Sequence, residues 1–362
     1  MPQKPRVAIV HDWLVGGGAE RVVENLHQLY PDAPIYTSYA TDEWRMRLDD
    51  KVVTGWLQHL GPLRKFIPFL RILWVTRLDL SGYDLVISST GNGEAKGIHT
   101  SRGTTHICYC HAPVHFYWGH YEQYLREPGF GILNPVVRLG LRLLVGPLRR
   151  WDLKASQRPD YFIANSSHTA AEVKKFYGRD AVVVHPPVDT RRFKTSNRKR
   201  SGFVTAGRLV PQKQVSLIVQ ACTELELPLT VIGRGPERDT LRSLAGPTVT
   251  IRDDVSDEEM PKLLAGADAF IFAAYDDFGI TPVEAMAAGT PVIAYHAGGA
   301  LDYVVPNKTG MFFPAQTVDS LKEALVAFKA ADYDHTLVAK HAQSFSTEAF
   351  RTNIKTVISE HV

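Results

Sequence analysis

Short apolar runs bounded by turn residues recur along the chain and alternate with amphipathic stretches. The first run, Val7 to His11, is followed by three glycines, Gly16 to Gly18, and by an amphipathic run from Ala19 to Tyr30. This order predicts a buried strand, a glycine-rich turn and a helix. Further runs predict strands in the first half of the chain at residues 83–88, 105–110, 160–165 and 182–185.

The same alternation starts again in the second half of the chain. Apolar runs, each followed by a helical stretch, lie at residues 202–207, 229–233, 249–251, 269–273 and 291–294. Strands that alternate with helices predict parallel sheets covered on both faces. The predicted class is therefore α/β, with two Rossmann-like, doubly wound domains. Ligands of such folds bind at the carboxyl ends of the strands, and here we expect them in a cleft between the domains.

The length of 362 residues also favours two domains. We predict a first domain over residues 1–187, a second over 188–345 and a terminal helix over 346–362. The basic stretch 191–200 follows a pair of prolines and has few apolar residues, which is typical of a linker between domains.

Composition excludes several classes of protein. Hydrophobic residues make up 44% and charged residues 22%, without low-complexity tracts, which excludes disordered and fibrous chains. A net charge of +3 gives no reason to expect a nucleic-acid partner. Three cysteines cannot form a disulfide framework, and neither a signal peptide nor an apolar run of about 20 residues is present. We expect a cytoplasmic protein.

Two cations follow the first predicted strand of the second domain. Gly207 and Arg208 close this strand, and Lys213 lies five residues further on. The planar donors of an arginine and the compact charge of a lysine suit a diphosphate, and they stabilise the negative charge of a leaving nucleotide. The alternative is a pair of solvated surface charges.

The segment from Asp276 to Gly289 predicts a short helix with its amino terminus at the strand end. Thr281 suits the cap, Pro282 the first turn and Gly289 the far end. Free N–H groups at a helix start bind phosphate, and carboxylates accept hydrogen bonds from sugar hydroxyls. The alternative is a capped helix with a solvated glutamate. The candidate donor-binding residues of the segment are Asp276, Phe278, Gly279, Ile280, Thr281 and Glu284.

The glycine turn of the first domain is a second candidate site for a phosphate. Gly17 and Gly18 allow a substrate to approach the backbone, and the helix that follows favours negative charge. The alternative is a flexible turn, in which Glu20 only complements the helix dipole.

A metal site is the less favoured interpretation of a cluster in the first domain. His106, Cys108 and Cys110 alternate along a predicted strand, with His111 and His115 nearby. Structural zinc sites use separated pairs of ligands, and buried thiols explain this pattern better. An Asp-x-Asp loop that would chelate a nucleotide's metal is also not obvious. We therefore expect no metal and no cofactor.

Three motifs together resemble the retaining glycosyltransferases of family 4, which have the GT-B fold. They are the acidic-x7-Glu segment, the Gly207-Arg208 pair with Lys213, and Gly-Gly-Ala-Glu-Arg at residues 17–21, and the resemblance covers nearly the whole chain. It implies that Glu284 contacts the donor ribose, Asp276 the transferred sugar, and the two cations the diphosphate. The family usually has a glutamate in place of Asp276.

Residues 108–118, together with 81–88 and 95–97, resemble the mannosyltransferase-like branch that builds bacterial polysaccharides on lipid carriers. The resemblance implies that His111 contacts the sugar, that the donor is GDP-mannose, and that the acceptor is a glycan or a lipid-linked glycan. It also implies an acceptor-side first domain, against which the terminal helix packs. The alternatives are a UDP-sugar donor, a sugar-nucleotide epimerase, and a non-catalytic nucleotide-sugar-binding protein.

Two stretches, residues 56–80 and 136–150, mix bulky apolar with cationic side chains. Such surfaces lie in the interface of anionic membranes, which would place the protein at the inner face of the plasma membrane. The alternative is a pair of core-facing helices with basic outer faces.

Overall fold

The computed structural model describes residues 5–65, 68–119, 121–126, 131, 134–196 and 199–361. It divides into two compact units, Met1–Pro186 with Arg351–Val362, and Pro187–Phe350. The predicted linker over residues 191–200 is wrong, because the division lies before it. Phe193, which is 5% exposed, is a core residue of the second unit and fixes this basic stretch to it.

The described part of the first unit holds a seven-stranded parallel sheet in the order β3-β2-β1-β4-β5-β6-β7. Its strands are β1 (Val7–His11), β2 (Ile35–Thr37), β3 (Val52–Thr54), β4 (Leu85–Thr90), β5 (Thr105–Cys110), β6 (Tyr161–Ala164) and β7 (Ala181–Val183). Its helices are α1 (Gly18–Leu29), α2 (Asp42–Arg47), α3 (Pro68–Val75), α4 (Tyr121–Arg126), α5 (Asn134–Ala155) and α6 (Ser167–Tyr177). Short 3-10 helices span Trp56–Lys65 and Ala95–Gly97.

The second unit holds a six-stranded parallel sheet in the order β10-β9-β8-β11-β12-β13 across its described residues. Its strands are β8 (Phe203–Ala206), β9 (Leu229–Ile232), β10 (Val249–Arg252), β11 (Ala269–Phe272), β12 (Val292–Tyr295) and β13 (Gly310–Phe313). Its helices are α7 (Val215–Glu224), α8 (Arg238–Leu244), α9 (Met260–Gly266), α10 (Ile280–Ala287), α11 (Ala300–Tyr303), α12 (Val318–Ala327) and α13 (His335–Ala342). Short 3-10 helices span Thr190–Arg192, Pro211–Lys213, Ala330–Asp332 and Gln343–Phe345.

The last helix, α14 (Thr347–His361), begins in the second unit and continues into the first. Arg351 donates from Nε to Asn25 Oδ1 of α1 at 2.8 Å, and Ile354 is 1% exposed. The rings of His361 and Tyr161 stack with their centres 3.8 Å apart. The end of the chain is therefore part of the first unit.

The order of the strands fixes where ligand chemistry can occur in each sheet. In the first sheet the order reverses between β1 and β4, and in the second between β8 and β11. At such a switch point the loops after the two neighbouring strands leave in opposite directions and open a crevice at their carboxyl ends. All residues of β1, β4 and β11 are buried, as expected for central parallel strands. The predicted class, two Rossmann-like doubly wound sheets, is confirmed.

Candidate functional site

Three polar side chains meet at the switch point of the first sheet. His11, the last residue of β1, lies opposite Ser89 of β4 in the register of the sheet. Ser89 Oγ lies 3.1 Å from His11 Nδ1 and 2.8 Å from His111 Nε2. His111 follows β5 directly and is half-buried, whereas the other two side chains are buried. Sequence reasoning selected His111 and missed its two partners.

The carboxylate of Asp12, directly after β1, shapes the loop that follows β4. It accepts hydrogen bonds from the backbone N–H groups of Gly91 at 2.9 Å, Asn92 at 2.7 Å and Ala95 at 2.7 Å. Asp12 is 6% exposed, so the loop folds around a buried negative charge. Sequence reasoning missed this residue, and the available signal was an acidic side chain immediately after the first buried strand.

Glu94 and Arg71 form a buried ion pair in the same loop region. Arg71 donates to Glu94 Oε1 from Nε at 2.7 Å and from Nη2 at 2.6 Å, and its guanidinium lies 5.0 Å from the centre of the Trp13 ring. Burial raises the pKa of Glu94, Arg71 lowers it and Asp12 raises it, with a net value of about 7. Arg71 is therefore not part of an outer basic surface.

A second buried ion pair ties α5 to the 3-10 helix after β4. Lys96 Nζ lies against Asp152 Oδ1 of α5 and donates to the Gly93 carbonyl at 3.0 Å. Trp118 Nε1 donates to Asp152 Oδ2 at 2.8 Å. Burial lowers the pKa of Lys96, but the charge and hydrogen bond of Asp152 together raise it above its usual value. Removing one partner of such a pair costs about 3–5 kcal/mol.

The glycine turn before α1 is closed by a glutamate. Glu20, which is 5% exposed, accepts from the N–H groups of Val15 at 3.2 Å and Gly16 at 3.0 Å. The alternative of a flexible turn, in which Glu20 only complements the helix dipole, does not hold, because the Glu20 carboxylate holds the turn. Gly17 precedes α1, and the helix begins at Gly18, one residue before the predicted start at Ala19.

In the second unit, Gly207 and Arg208 follow β8. A Cβ at Gly233 would lie 1.9 Å from the Gly207 carbonyl oxygen, and one at Gly235 would lie 2.2 Å from that of Leu209. Only glycines after β9 therefore leave room for this turn. The Arg208 side chain is exposed and has no hydrogen bond or ion pair among the described residues, whereas the Arg208 carbonyl accepts from Val210 N at 3.0 Å.

Lys213 and Asp276 form an ion pair across the second switch point. Lys213 Nζ contacts Asp276 Oδ2, although 63 residues separate them. The lysine follows β8 and the aspartate follows β11, and the two strands are neighbours. Their side chains are 23% and 29% exposed, so both remain reachable from solvent. The alternative of a solvated surface charge does not hold for Lys213.

Helix α10 begins earlier than the sequence predicted. Thr281, the predicted cap, is its second residue and Pro282 its third. Gly279 precedes the helix with φ +90°, and a Cβ there would lie 2.9 Å from Phe272 Cζ, so the chain enters the helix at a position that requires glycine. Glu284 is 8% exposed, and the alternative of a solvated glutamate is therefore wrong.

Phe278 is a core residue. Its side chain is 3% exposed, and its ring centre lies 5.5 Å from that of Tyr303 and 5.8 Å from that of Phe345. The ring is therefore not available to a donor, and only the backbone of Phe278 can make the predicted contact. Ile280 and Thr281 are half-buried at the start of α10.

Sequence reasoning missed the glycine pair that supports Asp276. Gly299 N donates to the Asp276 carbonyl at 2.9 Å, and a Cβ at Gly299 would lie 2.3 Å from Phe278 Cα. Gly298 has φ +65°, and a Cβ there would lie 2.4 Å from the same Asp276 oxygen. The pair lies in the turn after β12, separated from the strand by two residues, and a Gly-Gly pair just after a buried strand was the signal that could have identified it.

The histidine and cysteines of β5 are buried, as the core interpretation expects. His106 Nε2 lies 2.8 Å from Ser88 Oγ, and burial lowers the pKa of this histidine to about 3. Burial raises the pKa of Cys108 to about 12. Cys110 is 1% exposed and shares a core cluster with Cys108. The side chains of Cys108 and Cys110 act as small apolar groups.

The two apolar and basic stretches differ in exposure. Leu57 and Trp74 of residues 56–80 are core residues, whereas Phe66 and Ile67 lie outside the described residues. Among the side chains of this stretch that the structure describes, the exposed large apolar ones are Trp56, Phe69 and Leu73.

By contrast, α5 exposes an apolar stripe, with Val136 69%, Leu139 58% and Leu143 66% exposed. Arg142 and Arg150 are exposed on the same helix, and residues 134–151 contain no acidic side chain. Across the described residues, no helix combines the length and apolarity needed to span a membrane.

Two family models match the chain. The model "Glycosyltransferase Family 4" matches residues 16–192, and "Glycosyl transferases group 1" matches residues 188–346. The two matches divide the chain at almost the same place as the two units.

Several bacterial enzymes are similar in sequence. A GDP-mannose-dependent alpha-(1-6)-phosphatidylinositol monomannoside mannosyltransferase of Mycobacterium tuberculosis is 31% identical over 44% of this chain and 50% of the relative. A D-inositol 3-phosphate glycosyltransferase of Mycobacteroides abscessus is 28% identical over 52% of this chain and 48% of the relative. The chain thus matches about half the length of these relatives.

Solved structures match over nearly the whole chain. Anabaena HepE in complex with UDP has a TM-score of 0.72 and 18% identity, with 98% of this chain and 100% of that chain covered. Sucrose-phosphate synthase of Thermosynechococcus elongatus has a TM-score of 0.71 and 15% identity, with 99% of each chain covered. These likenesses show the fold. With its two sheets, its switch-point residues and both family models, the chain belongs to the family 4 glycosyltransferases of GT-B fold.

Proposed function

We propose that the protein transfers a hexose, mannose from GDP-mannose, to a glycan or lipid-linked acceptor of bacterial polysaccharide synthesis. The names of the sequence relatives support the donor, because several are GDP-mannose-dependent mannosyltransferases. Membership of family 4 supports the reaction class.

The observation that carries this proposal is the chemistry at the second switch point. Lys213 forms an ion pair with Asp276, and the side chain of Arg208, after β8, has no hydrogen bond or ion pair with any described residue. Such cations bind a diphosphate, and a carboxylate beside them accepts hydrogen bonds from sugar hydroxyls. Glu284 is proposed to bind the donor ribose, and His111 the transferred sugar.

The proposed mechanism retains the anomeric configuration and uses no metal. The acceptor oxygen attacks the anomeric carbon on the face from which the diphosphate departs, and the leaving phosphate oxygen takes the acceptor proton. Arg208, Lys213 and the N–H groups at Gly279 and Ile280 stabilise the charge that develops on the diphosphate. These groups would supply the positive charge that other transferases obtain from a cation.

Three alternatives make different predictions. A UDP-sugar donor keeps the fold and reaction, and solved neighbours hold UDP. A sugar-nucleotide epimerase would convert the donor without an acceptor. A non-catalytic nucleotide-sugar-binding protein would bind the donor and never release nucleotide. Product analysis after incubation with donor and acceptor separates all three.

The first test is thermal stability with GDP-, UDP- and ADP-sugars in the presence of EDTA. A ligand at 100 times its Kd adds about 2.7 kcal/mol to the free energy of unfolding. Selective stabilisation by GDP-mannose is expected. Stabilisation by another nucleotide sugar would contradict the mannose donor, and stabilisation that requires Mg²⁺ would contradict metal independence. A nuclear magnetic resonance measurement of the product's anomeric configuration tests retention.

We further propose that α5 lies on an anionic membrane when the acceptor is lipid-linked. Val136, Leu139 and Leu143 recur at helical spacing, which gives an apolar stripe that can enter the headgroup region. Arg142 and Arg150 complement the negative surface, since each such cation contributes about 1 kcal/mol near anionic lipid.

Sedimentation with phosphatidylglycerol vesicles tests this contact. Leu139→Glu should reduce the bound fraction, whereas the matched change Val326→Glu, at a 72% exposed position of α12, should not. Equal binding by both variants, or no binding by the unaltered protein, would contradict the membrane contact.

A further inference from the structure

Ser89 lies between two histidine rings at the switch point of the first sheet. Its Oγ is 3.1 Å from His11 Nδ1 and 2.8 Å from His111 Nε2. His11 Nδ1 also lies 2.9 Å from the Ser89 carbonyl oxygen. Ser89 is fully buried and His11 is 3% exposed. These three distances determine which ring nitrogens of His11 and His111 carry a hydrogen.

The carbonyl oxygen sets the direction of the hydrogen bonds. It can only accept, so His11 Nδ1 must carry a hydrogen and donate it. The lone pair of that nitrogen is then not available to the Ser89 hydroxyl. Among the described residues, the acceptor that remains for the hydroxyl hydrogen is His111 Nε2, at 2.8 Å. His111 therefore accepts at Nε2 and carries its own proton on Nδ1.

The other protonation states leave a buried donor without an acceptor. A hydrogen on His111 Nε2, in the second neutral tautomer or in the imidazolium, would point at Ser89 Oγ. The hydroxyl hydrogen would then face two N–H groups in a fully buried position. Buried donors without a partner are strongly disfavoured in native proteins.

We propose that His11 and Ser89 are positioning residues that hold His111 as a neutral imidazole protonated on Nδ1. In this state any hydrogen bond that the His111 ring donates to an oxygen ligand, such as a sugar hydroxyl, comes from Nδ1, and the ring does not serve as a base through Nε2. The sugar as ligand rests on the proposed function; the tautomer itself rests on the three hydrogen bonds alone.

Nitrogen-15 spectra of the histidine-labelled protein without donor test the tautomer. Long-range couplings between ring nitrogens and carbon-bound protons distinguish a protonated from an unprotonated nitrogen, and a His111→Gln variant assigns the signals. We expect Nδ1 protonated and Nε2 unprotonated at neutral pH. A protonated Nε2 in the unaltered protein would overturn the proposal, whether or not any sugar nucleotide binds.

Variants of the serines separate positioning from general stability. Ser89→Ala should move His111 toward the Nε2-protonated form and lower kcat/KM for the donor about tenfold, as expected for one lost hydrogen bond. Ser89→Thr keeps the hydroxyl and should restore both the Nδ1-protonated form of His111 and the value of kcat/KM. Ser88→Ala is the matched control, because it removes a buried hydroxyl that contacts His106 at 2.8 Å.

The control should lose stability without a change in the His111 spectrum. An unchanged tautomer in the folded Ser89→Ala variant would also refute the positioning role. If the unaltered protein uses no sugar nucleotide, the proposed function fails and the spectra still decide the tautomer.

Discussion

Arg208 and Lys213 carry the same charge in different surroundings. Lys213 contacts Asp276, whereas the side chain of Arg208 is exposed and has no hydrogen bond or ion pair within the part of the chain that the structure describes. An arginine without internal contacts contributes little to stability, so its replacement should affect chemistry alone.

Arg208→Ala is expected to lower kcat/KM about 100-fold or more, because it removes a charge-assisted donor from the developing diphosphate. The melting temperature should not change. Steady-state kinetics with the selected donor and a thermal melt provide the two readings. Arg242→Ala, another exposed arginine of the same unit, is the control. Unchanged kinetics in Arg208→Ala would remove this residue from the site.

The protonation of Glu94 makes the free energy of unfolding depend on pH, and the sign of this dependence follows from its pKa. Its pKa in the folded protein, about 7, lies above the usual value of 4.5, mainly because the carboxyl group is buried. Between these two values the native state binds more protons than the unfolded state, so stability falls as pH rises through this window. The loss is on the order of 3 kcal/mol, and it is complete above the native pKa.

Glu94→Gln should therefore remove this part of the pH dependence. Urea unfolding from pH 4.5 to pH 8 should show the unaltered protein losing stability relative to the variant. The variant also lacks the charge partner of Arg71, which lowers its stability at every pH. The informative quantity is therefore how the difference in free energy of unfolding between the two proteins changes from pH 4.5 to pH 8. A difference that stays constant with pH would show that Glu94 does not titrate there.

At the scale of elements, the loop after β11 depends on the glycine pair after β12. Gly299→Ala would place a Cβ 2.3 Å from Phe278 Cα, and backbone must move to accommodate it. Asp276 lies in the displaced segment. We expect at least a tenfold weaker donor affinity, together with a loss of about 1–3 kcal/mol of stability from overpacking.

Gly266→Ala is the matched control, since a Cβ at Gly266 in α9 meets no atom within 4 Å. It should leave donor affinity unchanged. Calorimetric titration with the donor and denaturant unfolding measure both quantities. Normal donor binding by Gly299→Ala would contradict the dependence of the Asp276 loop on this packing.

At the scale of the whole molecule, the last residues of the chain complete the first unit. Ile354 of α14 is 1% exposed, and Arg351 bonds to α1. Ile354→Ala should lower the free energy of unfolding of the first unit by about 2–5 kcal/mol, as for other buried aliphatic truncations.

Leu337→Ala, at a 58% exposed position of α13, should change stability by less than about 0.5 kcal/mol. Guanidinium unfolding measures the loss of stability in each variant, and hydrogen exchange shows which unit loses it. An Ile354→Ala variant as stable as the control would show that α14 is not needed by the first unit.

The sequence by itself determined the class of fold, and it supplied the residues from which the candidate site is proposed. Buried parallel strands give continuous apolar runs and surface helices give a period of about 3.6, so both are readable from local spacing. Arg208, Lys213 and Asp276 were likewise identifiable because cations and carboxylates after strand ends have a limited set of uses. The start of α10 was misplaced, since Thr281 satisfies the usual preference for a cap and Gly279 satisfies only a backbone angle.

Tertiary structure alone decided which of these residues meet. His11 and Ser89 are 78 residues apart, and Lys213 and Asp276 are 63 apart. Each pair forms because a crossover places two strands side by side, and local patterns do not encode that strand order. Tertiary structure also decided which side chains are buried. The sequence pattern placed Arg71 on a basic surface and Phe278 at the donor, and both side chains are buried in the folded protein. Periodicity is a property of neighbouring residues, whereas a site is a property of the packing between distant ones.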